Sequence, residues 1–401
     1  MTTPNFDTSG FDKTGFDVVY PSTSTYPISQ TTQNPYPVKV VDSSCNYLAI
    51  VFSYQYLGWT RRLYEPDGFT LELNTKTTYS DKFVLGNYLG FKDNKRFIGY
   101  IEDINYVQDK LTNKLTITGR DPTGLFANRI ALHNTTTGTG YDDQSGNAET
   151  VISHYINKNC IDASDNSRNL SNLVLLTDEG RGNEVSYSAR FDYISDIVSD
   201  LANSGELGFQ TSYNPIDCTV ELDFIEGTDH SYTSSDPVVF KNDFKNIISL
   251  DISKSAVGNV NLAYVGDSGS DAARSLDEVF VSSEPSGNDR IELFVDGSST
   301  TTTAERTTLG ESAIIENQTQ TSVSAEIKAD NSAFVYGTDY DLGDTVSLEF
   351  EDTVYDLKIV EVLLEFDSDN YKKVTLTLGK PLRSFVKQTK KDTRATAQEK
   401  K

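Results

Sequence analysis

Apolar and polar positions alternate along several short stretches of this chain, and turn-forming residues separate them. Leu115 and Ile117 alternate with Thr116 and Thr118; Val360, Val362, Leu364 and Phe366 alternate with Glu361 and Glu365. A period of two puts one set on a buried face and the other in water, which is a strand signature. The pattern predicts strands over 48–56, 69–73, 88–91, 96–106, 115–118, 219–224 and 291–295, and a strand pair over 247–252 and 260–265. Pro66-Asp67-Gly68 and Lys92-Asp93-Asn94-Lys95 punctuate the first group as turns. Two segments switch to a helical period. Val151, Ile152, Tyr155 and Ile156 share a face over 148–157. Ile194, Ile197, Val198 and Leu201 share one over 191–203, with Gly205 as the stop. A third helix is predicted over 311–318.

The strand pattern repeats at long range. Leu85-Gly86-Asn87 opens a stretch that closes at Leu115-Thr116-Ile117-Thr118-Gly119, and Leu342-Gly343-Asp344 opens one that closes at Leu376-Thr377-Leu378-Gly379. Each copy reads as short apolar strand, turn, long strand, turn, and a Thr-alternating strand ending on Gly. Gly86, Gly119, Gly343, Asp344 and Gly379 are its structural signature. Gly and Asn or Asp suit the turn that enters a strand. The fold class is mainly β with an α+β insert: two similar small β-barrel-like domains, an α+β domain and an insertion domain. The expected division is an extended arm over 1–44, a first β unit over 45–130 and an α+β domain over 131–236. A second β unit over 237–267 and 331–385 follows, split by an insertion over 268–330, and the chain ends in a basic tail over 386–401. The arm repeats Phe6-Asp7, Phe11-Asp12 and Phe16-Asp17 and is then rich in Ser, Thr, Gln, Pro and Tyr. Phe6, Phe11 and Phe16 are candidate anchors, either on their own domain or on a neighbour.

Composition narrows the function. The 401 residues carry a formal net charge of −24, so the chain lacks the broad basic face that phosphate or anionic lipid binding requires. From Lys380 onward eight basic residues face two acidic ones, a solvated tail or an arm for an acidic neighbour. The three cysteines, Cys45, Cys160 and Cys218, make neither a CxxC pair nor an even framework, so buried free thiols are expected. Met1 to Gly15 has no apolar core of a signal peptide, and no run reaches a membrane span. Synthesis as a soluble cytoplasmic protein is expected.

Catalytic chemistry has little support. His133, His154 and His230 fall in neither HExxH nor HxH spacing, and no GxSxG occurs. Glu361 and Glu365 mimic a glycosidase pair, but in so acidic a chain they read as a solvated strand face. The Asp-rich stretches 162–167 and 339–344 lack EF-hand spacing, and the repeat explains the second as a turn. No cofactor, metal site or enzymatic activity is expected. Exposed Tyr stacking on sugars leaves a carbohydrate-binding, adhesin-like protein as the alternative, with a cell-wall glycosidase behind it.

Several stretches carry a family likeness. They are Trp59-Thr60-Arg61-Arg62 leading to Gly68-Phe69-Thr70-Leu71-Glu72-Leu73, Phe97-Ile98-Gly99-Tyr100-Ile101-Glu102-Asp103-Ile104, and Leu115 through Asp121. Further on come Val238-Val239-Phe240, Asn246-Ile247, Asn261 through Gly266, and Asp339 through Val346. In this order the chain resembles the siphophage tail-tip baseplate hub proteins, akin to the N-terminal part of tail-associated lysins and to the central hub of contractile tails. The resemblance covers about residues 45–380. It implies the phage tail hub fold and a homotrimer with two β units per chain. It also implies partners among distal tail, tail tube, tape measure and tip or fibre proteins, a place at the virion tail tip, and a role in DNA ejection.

Overall fold

The computed structural model describes residues 36–379 apart from short internal gaps at 92–94, 110–111, 134–139, 257, 270–272, 299, 318–319, 328–333, 352 and 368–371. Phe6, Phe11, Phe16 and the basic tail lie outside the described residues. The chain divides into two compact units. One takes the described residues up to Ser249 with Ala325–Leu376; the other takes Leu250–Ser324 with the described residues from Thr377.

In the first unit, β1 (Val38–Val41), β2 (Tyr47–Val51), β3 (Tyr56–Arg62), β4 (Gly68–Asn74), β5 (Tyr88–Phe91), β6 (Ile98–Gln108) and β7 (Asn113–Arg120) form the first β region. The predicted strand over 48–56 is two strands, and β3 begins where it was expected to end. Leu57 and Trp59 of β3 are fully buried, and Trp59 stacks on Phe69 of β4 with ring centres 5.4 Å apart. Alternating Leu71 and Leu73 of β4 and Leu115 and Ile117 of β7 complete the same buried layer, as the period of two requires.

The α+β region has β8 (Asp142–Asn147), α1 (Ala148–Ile156), β9 (Leu173–Leu175), β10 (Glu184–Ala189), α2 (Ile194–Ser204), β11 (Gly208–Asn214) and β12 (Thr219–Ile225). Both predicted helices are present, and each buries its predicted apolar face in one core with Phe209, Val220, Leu222 and Phe224. β8 pairs with β10, and β11-β12-β9 is a separate small sheet.

The later strands are β13 (Asp229–His230), β14 (Val239–Lys241), β15 (Ile247–Ser255), β16 (Leu262–Gly266), β17 (Leu276–Val279), β18 (Glu292–Asp296), β19 (Gln320–Ile327), β20 (Thr345–Phe350), β21 (Thr353–Asp367) and β22 (Lys372–Gly379); α3 is Thr303–Glu316. In the second unit β17-β16-β18 is a sheet of its own, with α3 packed through Ile314 against Val265 and Val279. The expected pairing of the strands near 247–252 and 260–265 therefore does not occur: β16 takes its partners inside the second unit. α3 starts well before the predicted 311. A capping box of Thr302 and Glu305 nucleates it, and this offsets the poor helix propensity of its early Thr residues.

The large sheet runs β15-β19-β22-β21-β3-β4-β7-β6-β5-β1-β2, with β20 joining β21 to β13 and β14. Its order contains the repeat: β3-β4-β7-β6-β5 in the first copy matches β15-β19-β22-β21-β20 in the second. The copies meet where Glu361–Asp367 of β21 pairs antiparallel with Arg62–Tyr56 of β3. They differ at one flank, since β1 is antiparallel to β5 while β14 is parallel to β20.

The three cysteines are not all free thiols. Cys45 and Cys218 form a disulfide with Cα atoms 6.0 Å apart across 173 residues of sequence. Both sit in left-handed turn conformations, φ 63° and 57°, which bring the β1–β2 and β11–β12 turns together. An odd cysteine count hid this pair, because nothing local signals it. Cys160 alone is free and buried, and burial pushes its thiol up to about 12.

Candidate functional site

The two glycine turns of the repeat are superimposable in their hydrogen bonding. Gly86 N–H donates to the Ile101 carbonyl at 3.0 Å, and Ile101 N–H donates to the Asn87 carbonyl at 2.9 Å. Gly343 N–H donates to the Ile359 carbonyl at 2.9 Å, and Ile359 N–H donates to the Asp344 carbonyl at 2.8 Å. Asn87 N–H returns to Val84 and Asp344 N–H to Asp341. Gly86 and Gly343 have φ of +89° and +93°, a region that a side chain makes costly. Gly379 also has positive φ, +80°. Gly119 is needed for another reason, since a Cβ there would collide with the Tyr100 carbonyl oxygen and the Phe69 ring.

The second member of each turn does different work. Asn87 donates its amide to the Lys82 carbonyl at 3.1 Å. Asp344 accepts from Thr228 N–H and Asp341 N–H, both at 2.6 Å. Its carboxylate thus clamps the segment arriving from β12 onto the second turn.

Beside that turn lies a buried ion cluster that joins all three regions of the first unit. Arg61, on β3 and 3% exposed, donates to Tyr336 Oη and Asp341 Oδ1 at 3.0 Å each and to Gln210 Oε1 at 3.0 Å. Its Nε lies 3.7 Å from Asp67. Burial opposes its charge, yet Tyr336, Asp67 and Asp341 together hold its pKa above the ordinary arginine value. Asp67 accepts the Arg62 N–H at 2.8 Å, and its carbonyl accepts the Asp121 N–H at 3.0 Å. Asp121 in turn accepts from Thr123 Oγ1 at 2.5 Å and Thr211 Oγ1 at 3.0 Å. Burial, then the nearby Asp67 charge, pushes the Asp121 carboxyl up to about 7. Burial also raises Asp67, outweighing the pull of Arg61. The buried Asp67 and the half-buried Asp341 flank the Arg61 guanidinium, and losing one partner of such a pair costs more than the pair adds to net stability.

The remaining candidates are placed as structural groups. Glu361 pairs with Arg62 at 3.0 Å, and Glu365 accepts from Tyr56 Oη at 2.9 Å; both brace the β21–β3 joint. His154 lies 3.1 Å from Asp142, which also binds Lys158. His230 Nδ1 is 2.8 Å from the Asp236 carbonyl, and His133 lies near the Phe191 ring. Asp165 accepts from Ser167 N–H in a local turn. An open pocket at Thr228, His230, Asp236, Asp339 and Asp344 is acidic, but Asp339 is held by Val335 N–H and Asp344 by the contacts above. Among the described residues no group of three His, Cys, Asp or Glu side chains is placed to hold a metal ion, and no helix is long and apolar enough to cross a membrane.

Against known families, residues 37–380 match the model of the Siphovirus ReqiPepy6 Gp37-like protein. The chain belongs to this family. No curated protein sequence matches it. Among solved structures it is similar to prophage tail protein gp18 from Listeria monocytogenes EGD-e, with a TM-score of 0.53 at 12% identity, covering 89% of this chain and 98% of that one. It is also similar to the 43 kDa tail protein of prophage MuSo2 from Shewanella oneidensis, with a TM-score of 0.52 at 10% identity over 85% and 97%. The tail protein from Neisseria meningitidis MC58 gives 0.51 at 12% identity over 86% and 96%. At such identities the likeness is one of fold: this Gp37-like chain has the β-rich fold of phage tail proteins.

Proposed function

We propose that this protein is a structural hub of the phage tail tip. Three copies form a pseudo-sixfold β ring that joins the tail tube to the tip and frames the DNA exit channel. The observation that carries the reading is the duplicated strand order with its matched glycine turns. Two near-equivalent β units in one chain supply six units from three chains, which reconciles a sixfold tube with a threefold tip. The buried ion cluster serves this role by locking the first β unit, the α+β region and the second turn into one register. Partners are the other copies, distal tail and tube proteins, the tape measure protein and tip or fibre proteins. The setting is the virion tail tip after synthesis in the host cytoplasm.

The role is non-enzymatic. Its support is that Glu361 and Glu365, the pair singled out by sequence, are engaged by Arg62 and Tyr56 across the β21–β3 joint. The test is native mass spectrometry of the purified full chain together with cryo-EM of tails. A trimer at the tip is expected. A monomer throughout, or an even-numbered ring, refutes the reading.

A further inference from the structure

Carboxylates outnumber basic groups in this chain, and its arginines are paired accordingly. Among the described residues, every arginine outside one locus is ion-paired with a carboxylate. The exceptions are Arg129, Arg168 and Arg190, and the first unit brings these three together. Arg129 Nε donates to the Arg168 carbonyl, and Arg168 Nη2 to the Ile130 carbonyl, both at 2.6 Å. Carbonyls satisfy their N–H groups but bring no negative charge. The same segment is tied to the start of α2. Ala131 N–H donates to the Asp192 carbonyl at 2.8 Å, Phe191 N–H to the Ala131 carbonyl at 2.7 Å and Ile194 N–H to the Arg129 carbonyl at 2.9 Å. Arg190 is exposed, and its guanidinium lies over the Tyr141 and Phe191 rings, 5.4 Å from each centre. The Asp192 carboxylate accepts the Arg190 backbone N–H at 3.1 Å.

Apolar surface surrounds these charges. Leu132, Tyr141, Phe191 and Tyr193 are 44%, 37%, 52% and 44% exposed. Phe191 also holds a φ of +66°, a left-handed backbone that is an outlier for a bulky residue and concentrates at contact sites. Arginine with exposed aromatic rings is the composition of a contact surface, and guanidiniums without carboxylates ask their occupant to supply them. The arm ahead of β1 carries that chemistry three times, as Phe6-Asp7, Phe11-Asp12 and Phe16-Asp17, with Lys13 its one basic side chain before Lys39. Reach is sufficient. From Asp17 to Tyr36 an extended chain spans about 60 Å, against about 50 Å expected across a compact unit of this size, and β1 and the patch belong to the same unit. The basic tail after Lys380 has the wrong sign for this surface.

We propose that the N-terminal arm docks on this patch of its own chain. Phenylalanine rings of the repeat pack against Leu132, Phe191 and Tyr193, and its aspartates pair with the guanidiniums of Arg129, Arg168 and Arg190. Tethering favours the same-chain contact, because the arm is held at high effective concentration beside its site. The hub reading does not depend on this contact.

The experiment digests full-length chains with a lysine-specific protease, for which Lys13, inside the repeat, is the one site before Lys39. Docking should slow cleavage at Lys13. Arg190→Gln and Phe191→Gly change exposed positions, and glycine suits the left-handed φ, so circular dichroism should stay native. Each should speed cleavage at Lys13 about tenfold, since loss of a charge-assisted or aromatic contact frees the arm. Asp7→Asn, Asp12→Asn and Asp17→Asn made together should do the same. Adding Arg190→Gln to that triple variant should change little further, because both remove one contact. A wild-type chain cut at Lys13 as fast as the variants overturns the proposal, and so do additive effects of the two sets. A p-benzoylphenylalanine side chain in place of Phe11 reports the address. Its photocross-links should fall within 129–133, 190–193 or on Tyr141 of the same chain. Cross-links elsewhere, or to the second copy in a mixture of 15N-labelled and unlabelled chains, overturn it as well.

Discussion

At the residue scale, equivalent glycines are not equally constrained. Gly86 and Gly343 share a positive φ, but their surroundings differ. A Cβ at Gly86 would meet only the Tyr100 ring, 3.4 Å from its hydroxyl, whereas one at Gly343 would lie 2.9 Å from Ile225 Cγ2 and 3.2 Å from Leu63 Cδ1. Gly86→Ala should cost about 1 kcal/mol from backbone strain, and Gly343→Ala about 2–3 kcal/mol because packing adds to it. Urea unfolding of the two variants checks the order. Asp121 gives a pH signature. Its folded pKa, up to about 7, exceeds the ordinary carboxylate value, so between about pH 4 and 7 the folded chain holds a proton that the unfolded chain has lost. This contribution is present at low pH and is lost as pH rises through 7. Asp121→Asn, which cannot ionise, should flatten the fall in stability between about pH 4 and pH 7; an unchanged slope in thermal melts would sink that account. Sequence held partial signals here: Arg61-Arg62 in a very acidic chain, and Asp67 in a Pro-Asp-Gly turn. It did not reveal that Arg61, Asp67, Asp121, Gln210, Tyr336 and Asp341 converge, because they are dispersed along the chain.

At the element scale, local periodicity identified elements whose burial is decided by one face. β5 has the predicted bounds, α1 and α2 bury the predicted stripes, and β21 alternates as read. β3 was missed because it is paired on both sides and carries Arg61 among its inward residues, so its sequence lacks simple alternation. The partner of β16 was misread because an excursion from the sheet leaves no mark in a strand's own pattern. The Cys45–Cys218 link is likewise tertiary, tying two turns of the first unit. Reduction, or Cys218→Ser, should destabilise that unit by about 2–4 kcal/mol through the longer unfolded loop. Urea unfolding with and without dithiothreitol measures it. Equal midpoints would show that the bond contributes nothing.

At the scale of the whole molecule, net charge and repeat architecture act together. A chain at −24 presents duplex DNA with like charge, as the proposed exit-channel role requires. Filter binding at low salt, where such attraction is strongest, should detect no retention of duplex DNA. Retention that weakens with salt would instead place a basic DNA-binding face on the molecule. The sequence by itself determined the β-rich class, the two helices, the duplicated Gly turns and the acidic character. These depend on periodicity, on φ preferences and on composition, all of which are local or additive. Only the tertiary structure decided that β21 fuses the two copies through β3. The same holds for the buried ion cluster and the disulfide. Strand pairing and buried charge depend on which distant segments meet, and a linear pattern does not record that.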